Sequence, residues 1–192
     1  MPVPNPAAME FFLTRRSRPA RTLTAPVPTR DQLMPILTAA VRVPDHGKLE
    51  PWRFIVLEKA ALARLAALAA ERAPGLGLDA EGAKKGIAQF ADADLVVAVI
   101  AVPRPTDRIP EHEQRLSAGS VCLTLLNAAM ASGWGACWLT GWHVSDPDFR
   151  RDGLGLQPGE WVAGLIHIGT ETAAPPDRPR PDVAALITWV PA

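Results

Sequence analysis

The chain has 192 residues, of which 48% are hydrophobic, so it is long enough to form one compact domain with a sizeable core. Its 20 Lys and Arg side chains balance its 20 Asp and Glu side chains, which argues against a general nucleic-acid binder and against a polybasic protein of membrane surfaces. The two cysteines lack metal-ligand spacing, and neither a leader pattern nor a hydrophobic run of membrane-spanning length is seen, so we expect a cytoplasmic protein without a metal site.

The first half of the sequence predicts helices that alternate with strands. A short helix over residues 8–14 follows a flexible start over residues 1–7. Thr29 and Gln32 have the spacing of a capping box, which predicts the start of a second helix. The elements expected after it are a strand from Trp52 to Glu58, a helix from Lys59 to Arg72, a helix over residues 79–91 and a central strand over residues 94–102 that is apolar on both faces.

The second half is dominated by a predicted helix from Arg115 to Ser132. This helix is apolar all round, so it must be covered by other helices or by a second subunit. The elements expected after it are a strand over residues 136–139, a helix that opens at Ser145 with Asp148 as its capping partner, a strand from Trp161 to Ile168 and an extended basic arm over residues 173–192. This order predicts a single α+β domain over residues 1–192, with a mixed β-sheet flanked by helices.

The segment from Arg42 to Phe54 is a densely charged connection between a predicted helix and a predicted strand. Pro44 and Pro51 disfavour helical dihedral angles in the residues before them, so the loop is fixed at both ends. Cations and backbone donors on such a loop suit an anionic or electron-rich ligand. A solvated connection between the two elements is the alternative interpretation.

Several common catalytic sites are excluded because their motifs are missing. The sequence has neither a Rossmann glycine motif after a strand nor a Walker loop. Its four histidines are scattered, and His112-Glu113 lacks the second histidine that a zinc motif needs on the same helix. Ser117 lacks the two glycines of a nucleophile elbow. Metal-dependent and hydrolytic chemistry are therefore poorly supported.

Three basic clusters lie at the ends of predicted elements. Together they suit an anionic cofactor with a flat ring, because arginines can hold a phosphate, an apolar wall can hold the ring, and a cation can lie beside the part of the ring that becomes negative on reduction. A solvated surface patch explains each cluster when it is taken alone. The clusters are Arg15-Arg16-Ser17, Arg42 with His46 and Lys48, and Arg178 with Arg180.

Several short motifs follow one another along the chain. They are Arg15-Arg16-Ser17, Arg42-x-Pro44-Asp45-His46 running into Pro51-Trp52-Arg53-Phe54, Ser117-Ala118-Gly119, Gly133-Trp134-Gly135, Trp138-Leu139-Thr140-Gly141 and Gly169-Thr170. No single motif is specific to one protein family, but the order and spacing of the motifs together are. By these motifs the chain resembles the short, single-domain bacterial nitroreductases that depend on FMN and NAD(P)H, over nearly its whole length.

The resemblance implies a homodimer with FMN at the subunit interface and ping-pong electron transfer from NADH or NADPH to nitro compounds, quinones or similar small molecules. A flavin-binding carrier or sensor without turnover is the alternative, and an interaction module without a cofactor is a third possibility. By the same resemblance, the FMN site takes residues from both subunits: one supplies Arg15, Arg16, Ser17, Arg42 and His46, and the other supplies Trp138, Leu139 and Thr140. Arg178 and Arg180 are expected to contact the FMN phosphate. The nicotinamide nucleotide is expected to contact Ala128, Ala129, Met130, Ala131, Ser132 and Gly133.

The chain also departs from the pattern of this family near the flavin ring. Many longer relatives carry a basic residue where this chain has Pro19, and Arg42 is the candidate replacement. A cation beside N1 and the C2 carbonyl favours the reduced ring, so Arg42→Gln is expected to lower the flavin potential by tens of millivolts. Lys48 and Glu50 replace an asparagine and a glutamine of longer relatives, which leaves acceptor preference open. His46 either donates a proton or holds the ring.

Overall fold

The computed structural model describes residues 3–191 and contains a five-stranded sheet with helices packed on both faces. The five α-helices are α1 (Pro6–Thr14), α2 (Arg30–Ala40), α3 (Lys59–Arg72), α4 (Ala80–Ala91) and α5 (Glu111–Ala131). The strands are β1 (Leu23–Thr24), β2 (Trp52–Glu58), β3 (Leu95–Ala101), β4 (Gly135–Leu139) and β5 (Trp161–Glu171). The α+β class is confirmed.

Within residues 3–191 every strand pair is antiparallel, whereas the sequence predicted a mixed sheet. Strand β3 lies between β2 and β5, β4 pairs with the other edge of β5, and β1 pairs with the end of β5. Two helices, α3 and α4, connect β2 to β3, so the chain returns in the opposite direction. Because only α5 connects β3 to β4, those two strands run in the same direction, but β5 separates them.

The central position of β3 follows from its sequence, since its seven residues are all buried. Alternate side chains of this strand enter two separate cores, as the period of a strand requires. Leu95, Val97 and Val99 pack with α2 and α5 on one face, while Val96 and Ile100 pack with α3 and α4 on the other. The helix–sheet sandwich is therefore built around this strand.

The predicted bounds of β2 and α3 agree with the structure, and the capping box of α2 is confirmed. In that box Gln32 N donates to Thr29 Oγ1 at 3.3 Å, and Thr29 N donates to Gln32 Oε1 at 3.0 Å. The short helix predicted to open at Ser145 is present but begins later, because the helical residues are 147–154, of which Phe149–Gly153 form a π-helix. Asp146 caps it in place of Ser145, since the Asp146 carboxylate accepts from Asp148 N at 3.3 Å.

Several segments within residues 3–191 expose large apolar side chains, among them α1, where Met9, Phe12 and Leu13 are exposed. On α5, Leu116 is 69% exposed, and Leu123 is also exposed. The arm after β5 is extended apart from the turn Ala184–Leu186, and it exposes Trp189 and neighbouring apolar residues. None of the described helices is long and apolar enough to cross a membrane.

Candidate functional site

The first basic cluster is held against the sheet by the segment that follows α1. The backbone leaves the helix at Arg15, which has φ −57° and ψ 144°, so Arg15, Arg16 and Ser17 follow in a short non-helical stretch. Arg18 N then donates to Ala136 O on β4 at 2.9 Å, and Arg18 Nε lies 3.0 Å from Glu171 Oε2 on β5. These contacts position the cluster beside strand β4.

A cavity of about 580 Å³ brings this cluster together with two other predicted groups from the same chain. That volume falls within the range of ordinary cofactor pockets. Its lining also includes two leucines of α5 that the sequence did not single out, because a helix that is apolar all round gives no way to tell which side faces a ligand. The lining residues are Arg15, Arg16, Ser17, Leu123, Leu126, Trp138, Leu139, Thr140, Arg178 and Arg180. We call this space the arginine cavity.

The arginine cavity carries an excess of positive charge. Burial, and then the charge of Arg180, lower the pKa of the Arg15 guanidinium below its ordinary value. Asp177 offsets only part of this charge, because its Oδ1 accepts from Arg178 N at 2.9 Å and from Arg180 Nη2 at 3.1 Å. No acidic side chain lies among the described residues that line the cavity. A bound anion would relieve this repulsion.

Unpaired donors show that the cavity fits a phosphate-bearing cofactor. Within residues 3–191, the buried Nε atoms of Arg15 and Arg16 have no hydrogen-bond partner. Arg15 Nη2 donates to Ser17 Oγ at 3.3 Å, so the hydroxyl belongs to the same polar cluster. Buried donors are normally satisfied, and guanidinium groups bind phosphate oxygens well.

Apolar side chains in the lining of the arginine cavity suit a flat ring. Trp138, at the end of β4, is 38% exposed, and Leu126 of α5 lies under the same cavity. The indole fits closely over β5 because residue 164 is glycine, and a Cβ at Gly164 would overlap the indole ring. A tryptophan face combined with a cationic end matches the two ends of a ring-bearing phosphate ester.

Arg42 and His46 are not among the described residues that line the arginine cavity. His46 Nδ1 lies 2.6 Å from Glu113 Oε2, near the start of α5. Since Leu123 is ten residues further along α5, His46 lies about 15 Å from the cavity, measured along the helix. The structure therefore groups Arg15-Arg16-Ser17 with the residues of β4, and not with Arg42 and His46 as the resemblance implied.

The loop after Arg42 has a strained and specifically bonded backbone. Lys48 and Glu50 adopt φ of 55° and 48°, in the left-handed region that side chains rarely occupy. The Asp45 carboxylate accepts from Leu49 N at 3.1 Å and from Glu50 N at 2.9 Å, which fixes this conformation. These hydrogen bonds give the surface loop a defined backbone conformation.

The segment expected to contact nicotinamide, residues 128–133, forms the last turn of α5 and its end. Ala129 is fully buried in the core, whereas Ala131, Ser132 and Gly133 are exposed. Gly133, with φ 86°, ends the helix in the left-handed conformation that glycine allows. None of these residues is among those that line the arginine cavity.

A second open cavity, of about 590 Å³, is less suited to an anion. Arg115 and Arg151 contribute to its lining, but Arg115 is paired with Glu111 and Arg151 with Asp148 and Asp152. Its lining also contains a carboxylate, Glu160, which is engaged by Arg53 Nη2 at 2.7 Å. Two of its three arginines are therefore paired within the chain, whereas the buried Nε of the third, Arg150, has no hydrogen-bond partner within residues 3–191.

Both cysteines and two of the four histidines are buried and uncharged. Burial raises the pKa of the Cys122 and Cys137 thiols to about 12, so neither is a thiolate nucleophile at neutral pH. Burial also lowers the pKa of His143 and of His167 to about 4. Residues 3–191 contain no group of three or more His, Cys, Asp or Glu side chains arranged to hold a metal ion.

Comparison with known proteins agrees with this fold. The model of the nitroreductase family matches residues 13–170. The chain is 31% identical over 183 residues to an Escherichia coli K12 protein named "Putative NAD(P)H nitroreductase YdjA", covering 95% of this chain and 98% of that relative. Because the family model covers most of the sequence, the chain belongs to the nitroreductase family.

Solved structures show the same fold at lower sequence identity. A nitroreductase-like family protein from Bacillus cereus superposes with a TM-score of 0.78 and 23% identity, covering 99% of this chain and 98% of that one. A nitroreductase with bound FMN from Bacteroides fragilis gives a TM-score of 0.75 and 21% identity, covering 98% of this chain and 100% of that one. The fold expected from the resemblance is therefore confirmed.

Proposed function

We propose that the protein is an FMN-dependent oxidoreductase that transfers electrons from NADH or NADPH to nitro compounds, quinones or similar small acceptors. The observation that carries this proposal is the pair of buried, unpaired Nε donors of Arg15 and Arg16 in a cavity with a tryptophan wall. Family membership and the FMN named in the Bacteroides fragilis relative support the same cofactor.

Each part of the arginine cavity has a role in this proposal. Arg15, Arg16, Arg178 and Arg180 hold the FMN phosphate through charge-assisted hydrogen bonds, and Ser17 adds a hydroxyl. The residues from Trp138 to Thr140 support the ring.

The chemistry belongs to the cofactor, and the chain supplies position and electrostatic field. When bound, FMN would supply the redox chemistry, which is hydride acceptance from the nicotinamide nucleotide and electron delivery to the acceptor. A ping-pong order, in which the nucleotide leaves before the acceptor takes its place against the ring, is part of this proposal. The segment from Ala128 to Gly133 remains the proposed nucleotide contact, through its exposed end. The buried free cysteines, Cys122 and Cys137, are consistent with a cytoplasmic enzyme.

A homodimer completes the proposed site. The exposed leucines of α5 and the exposed apolar residues of the C-terminal arm need a cover, and a second copy of the chain provides one. Arg42 and His46 lie too far from the arginine cavity of their own subunit, so we infer that they reach the flavin of the partner subunit.

The first test is whether the purified protein is yellow and releases FMN on denaturation. A colourless protein, or one that releases FAD, contradicts the proposal. Anaerobic mixing with NADH or NADPH should bleach the flavin, and a nitro compound or quinone should restore the colour. Bound FMN that no nicotinamide nucleotide reduces would favour the carrier or sensor function instead.

Arg15→Ala is expected to weaken FMN binding by about 1–3 kcal/mol, because it removes a charged hydrogen-bond donor to the phosphate. Titration of the apoprotein with FMN, followed by flavin fluorescence, measures this change. Arg30→Ala is the matched control, since Arg30 is exposed and paired with Glu58 at 3.1 Å, away from the cavity. Equal FMN affinity in the two variants would show that Arg15 is only a surface residue.

A further inference from the structure

Two side chains at the start of α5 hold the loop that runs from Arg42 to Glu50. Ser117, which is buried, donates from its Oγ to Pro44 O at 2.6 Å. Glu113 Oε2 lies 2.6 Å from His46 Nδ1. In the sequence these two α5 residues belong to an incomplete nucleophile elbow and an incomplete zinc motif. In the structure both of them contact the charged loop instead.

Close contacts on the carboxyl side of His46 hold the backbone of this loop. Gly47, with φ 73°, lies against the Ile109 side chain, which a Cβ at residue 47 would overlap. The Asp45 carboxylate accepts from Leu49 N at 3.1 Å. The backbone that carries His46 is therefore fixed relative to α5.

The contact with Glu113 determines which nitrogen of His46 is available to a ligand. A carboxylate has no hydrogen to donate, so His46 Nδ1 must carry the hydrogen of this short bond. A carboxylate that binds one ring nitrogen in this way fixes the tautomer and the orientation of the imidazole. The His46 side chain is 64% exposed on the single subunit, which leaves Nε2 for a molecule held by the partner subunit.

We propose that His46 donates a proton to the electron acceptor bound at the flavin of the partner subunit, and that Glu113 is the positioning residue that presents His46 Nε2 to this acceptor. The inference rests on the proposed function, which places His46 at that flavin.

Reduction of a quinone shows how the atoms and electrons balance. A hydride from the reduced flavin supplies both electrons and one hydrogen, and the protonated His46 ring supplies the second hydrogen as a proton. The Nε2–H bond breaks, an O–H bond forms on the acceptor, and the hydroquinone leaves. His46 keeps its hydrogen on Nδ1, where Glu113 binds it, and a proton from solvent returns to Nε2.

Acceptors that differ in their need for a proton test this step. Anaerobic stopped-flow mixing separates reduction of the flavin by NADH or NADPH from its reoxidation. His46→Gln should slow reoxidation by a quinone about a hundredfold, because it removes a general acid. Reoxidation by ferricyanide, which takes electrons without a proton, should match the wild type. Equal slowing with both acceptors would overturn the proposal, since it would show that His46 holds the ring.

Glu113→Leu tests the positioning role, because it removes the acceptor of the Nδ1 hydrogen. Reoxidation by a quinone should slow about tenfold. Glu113→Gln, whose side-chain oxygen can still accept that hydrogen, should restore most of the rate. Glu111→Leu is the matched control, since Glu111 lies on the same turn of α5 but pairs with Arg115 at 2.6 Å. An unchanged rate in Glu113→Leu would contradict the role of Glu113.

Nitrogen NMR of the protein with labelled histidine tests the pair without turnover. In the neutral His46 ring of the wild type the hydrogen should be on Nδ1, and Glu113→Leu should shift it toward Nε2. Wild-type His46 with its hydrogen on Nε2 would overturn the proposal. A wild-type protein without bound flavin would refute the proposed function, whereas wild-type quinone reoxidation in flavin-loaded His46→Gln would refute only this inference.

Discussion

At the scale of single residues, two buried histidines stand out because they have no charge partner among the described residues. His143 is fully buried and packs against Phe90, with ring centroids 4.7 Å apart, and against Trp142 and Phe149. Both of its ring nitrogens lack a hydrogen bond within residues 3–191. Such an environment strongly disfavours the imidazolium ion.

These histidines should make the protein sensitive to acid. Their pKa is lowered from 6.5 to about 4 by burial, so on acidification the unfolded chain takes up protons first. The free energy of unfolding should therefore fall as pH decreases from about 6.5 to about 4, by up to about 3 kcal/mol for each histidine. Denaturant unfolding at a series of pH values and a fixed protein concentration measures this slope.

His143→Phe should reduce the acid-dependent loss by roughly half, because one of the two groups no longer titrates. His112→Gln is the control, since His112 is exposed on α5 and meets water in both states. A slope that is the same in wild type and His143→Phe would show that other groups cause the acid sensitivity.

At the scale of an element, the start of α2 illustrates how a local motif determines a helix. The Thr29 hydroxyl and the Gln32 side chain satisfy two backbone donors that the first turn leaves unpaired. The helix then tolerates Pro35, which lies past the first turn, because Leu33 and Ile36 anchor the helix in the core.

Thr29→Ala should lower the free energy of unfolding by about 1 kcal/mol, through loss of the capping hydrogen bond. Thr38→Ala is a matched control in the same helix, because its hydroxyl only donates back to Met34 O at 2.8 Å. Alanine has the higher helix propensity, so the control should be neutral or slightly stabilising. Equal destabilisation by both substitutions would argue against the capping box as the source of the effect.

At the scale of the whole molecule, the exposed surface of α5 is the reason to predict a dimer. Leu116 is 69% exposed on a helix whose other side forms the core. An apolar side chain of this size, next to the exposed Leu123, is typical of a surface that another chain covers.

Leu116→Glu should weaken the dimer, because it places a charge in an apolar interface. Sedimentation of the wild type should give twice the chain mass at all usable concentrations, and the variant should dissociate on dilution. Leu76→Glu is the control, since Leu76 is an exposed leucine of the turn Ala73–Leu76, far from α5 in sequence. A wild-type monomer that retains FMN would exclude a site shared between subunits.

The sequence alone determined those features that depend on neighbouring residues. Burial on both faces of β3 follows from an uninterrupted apolar run, and the bounds of β2 and α3 follow from strand and helix periodicity. The capping box needs only residues three apart. The order of the short motifs likewise led to the family, since it is a property of the chain itself.

The tertiary structure decided which distant segments meet. Arg15, Trp138 and Arg180 come together because the segment after α1 bonds to β4 and the C-terminal arm returns to the same side, which no local pattern encodes. The same packing leaves Arg42 outside the lining of this cavity. Local propensities fix individual elements, but the contacts between them depend on how two apolar faces of one sheet are covered.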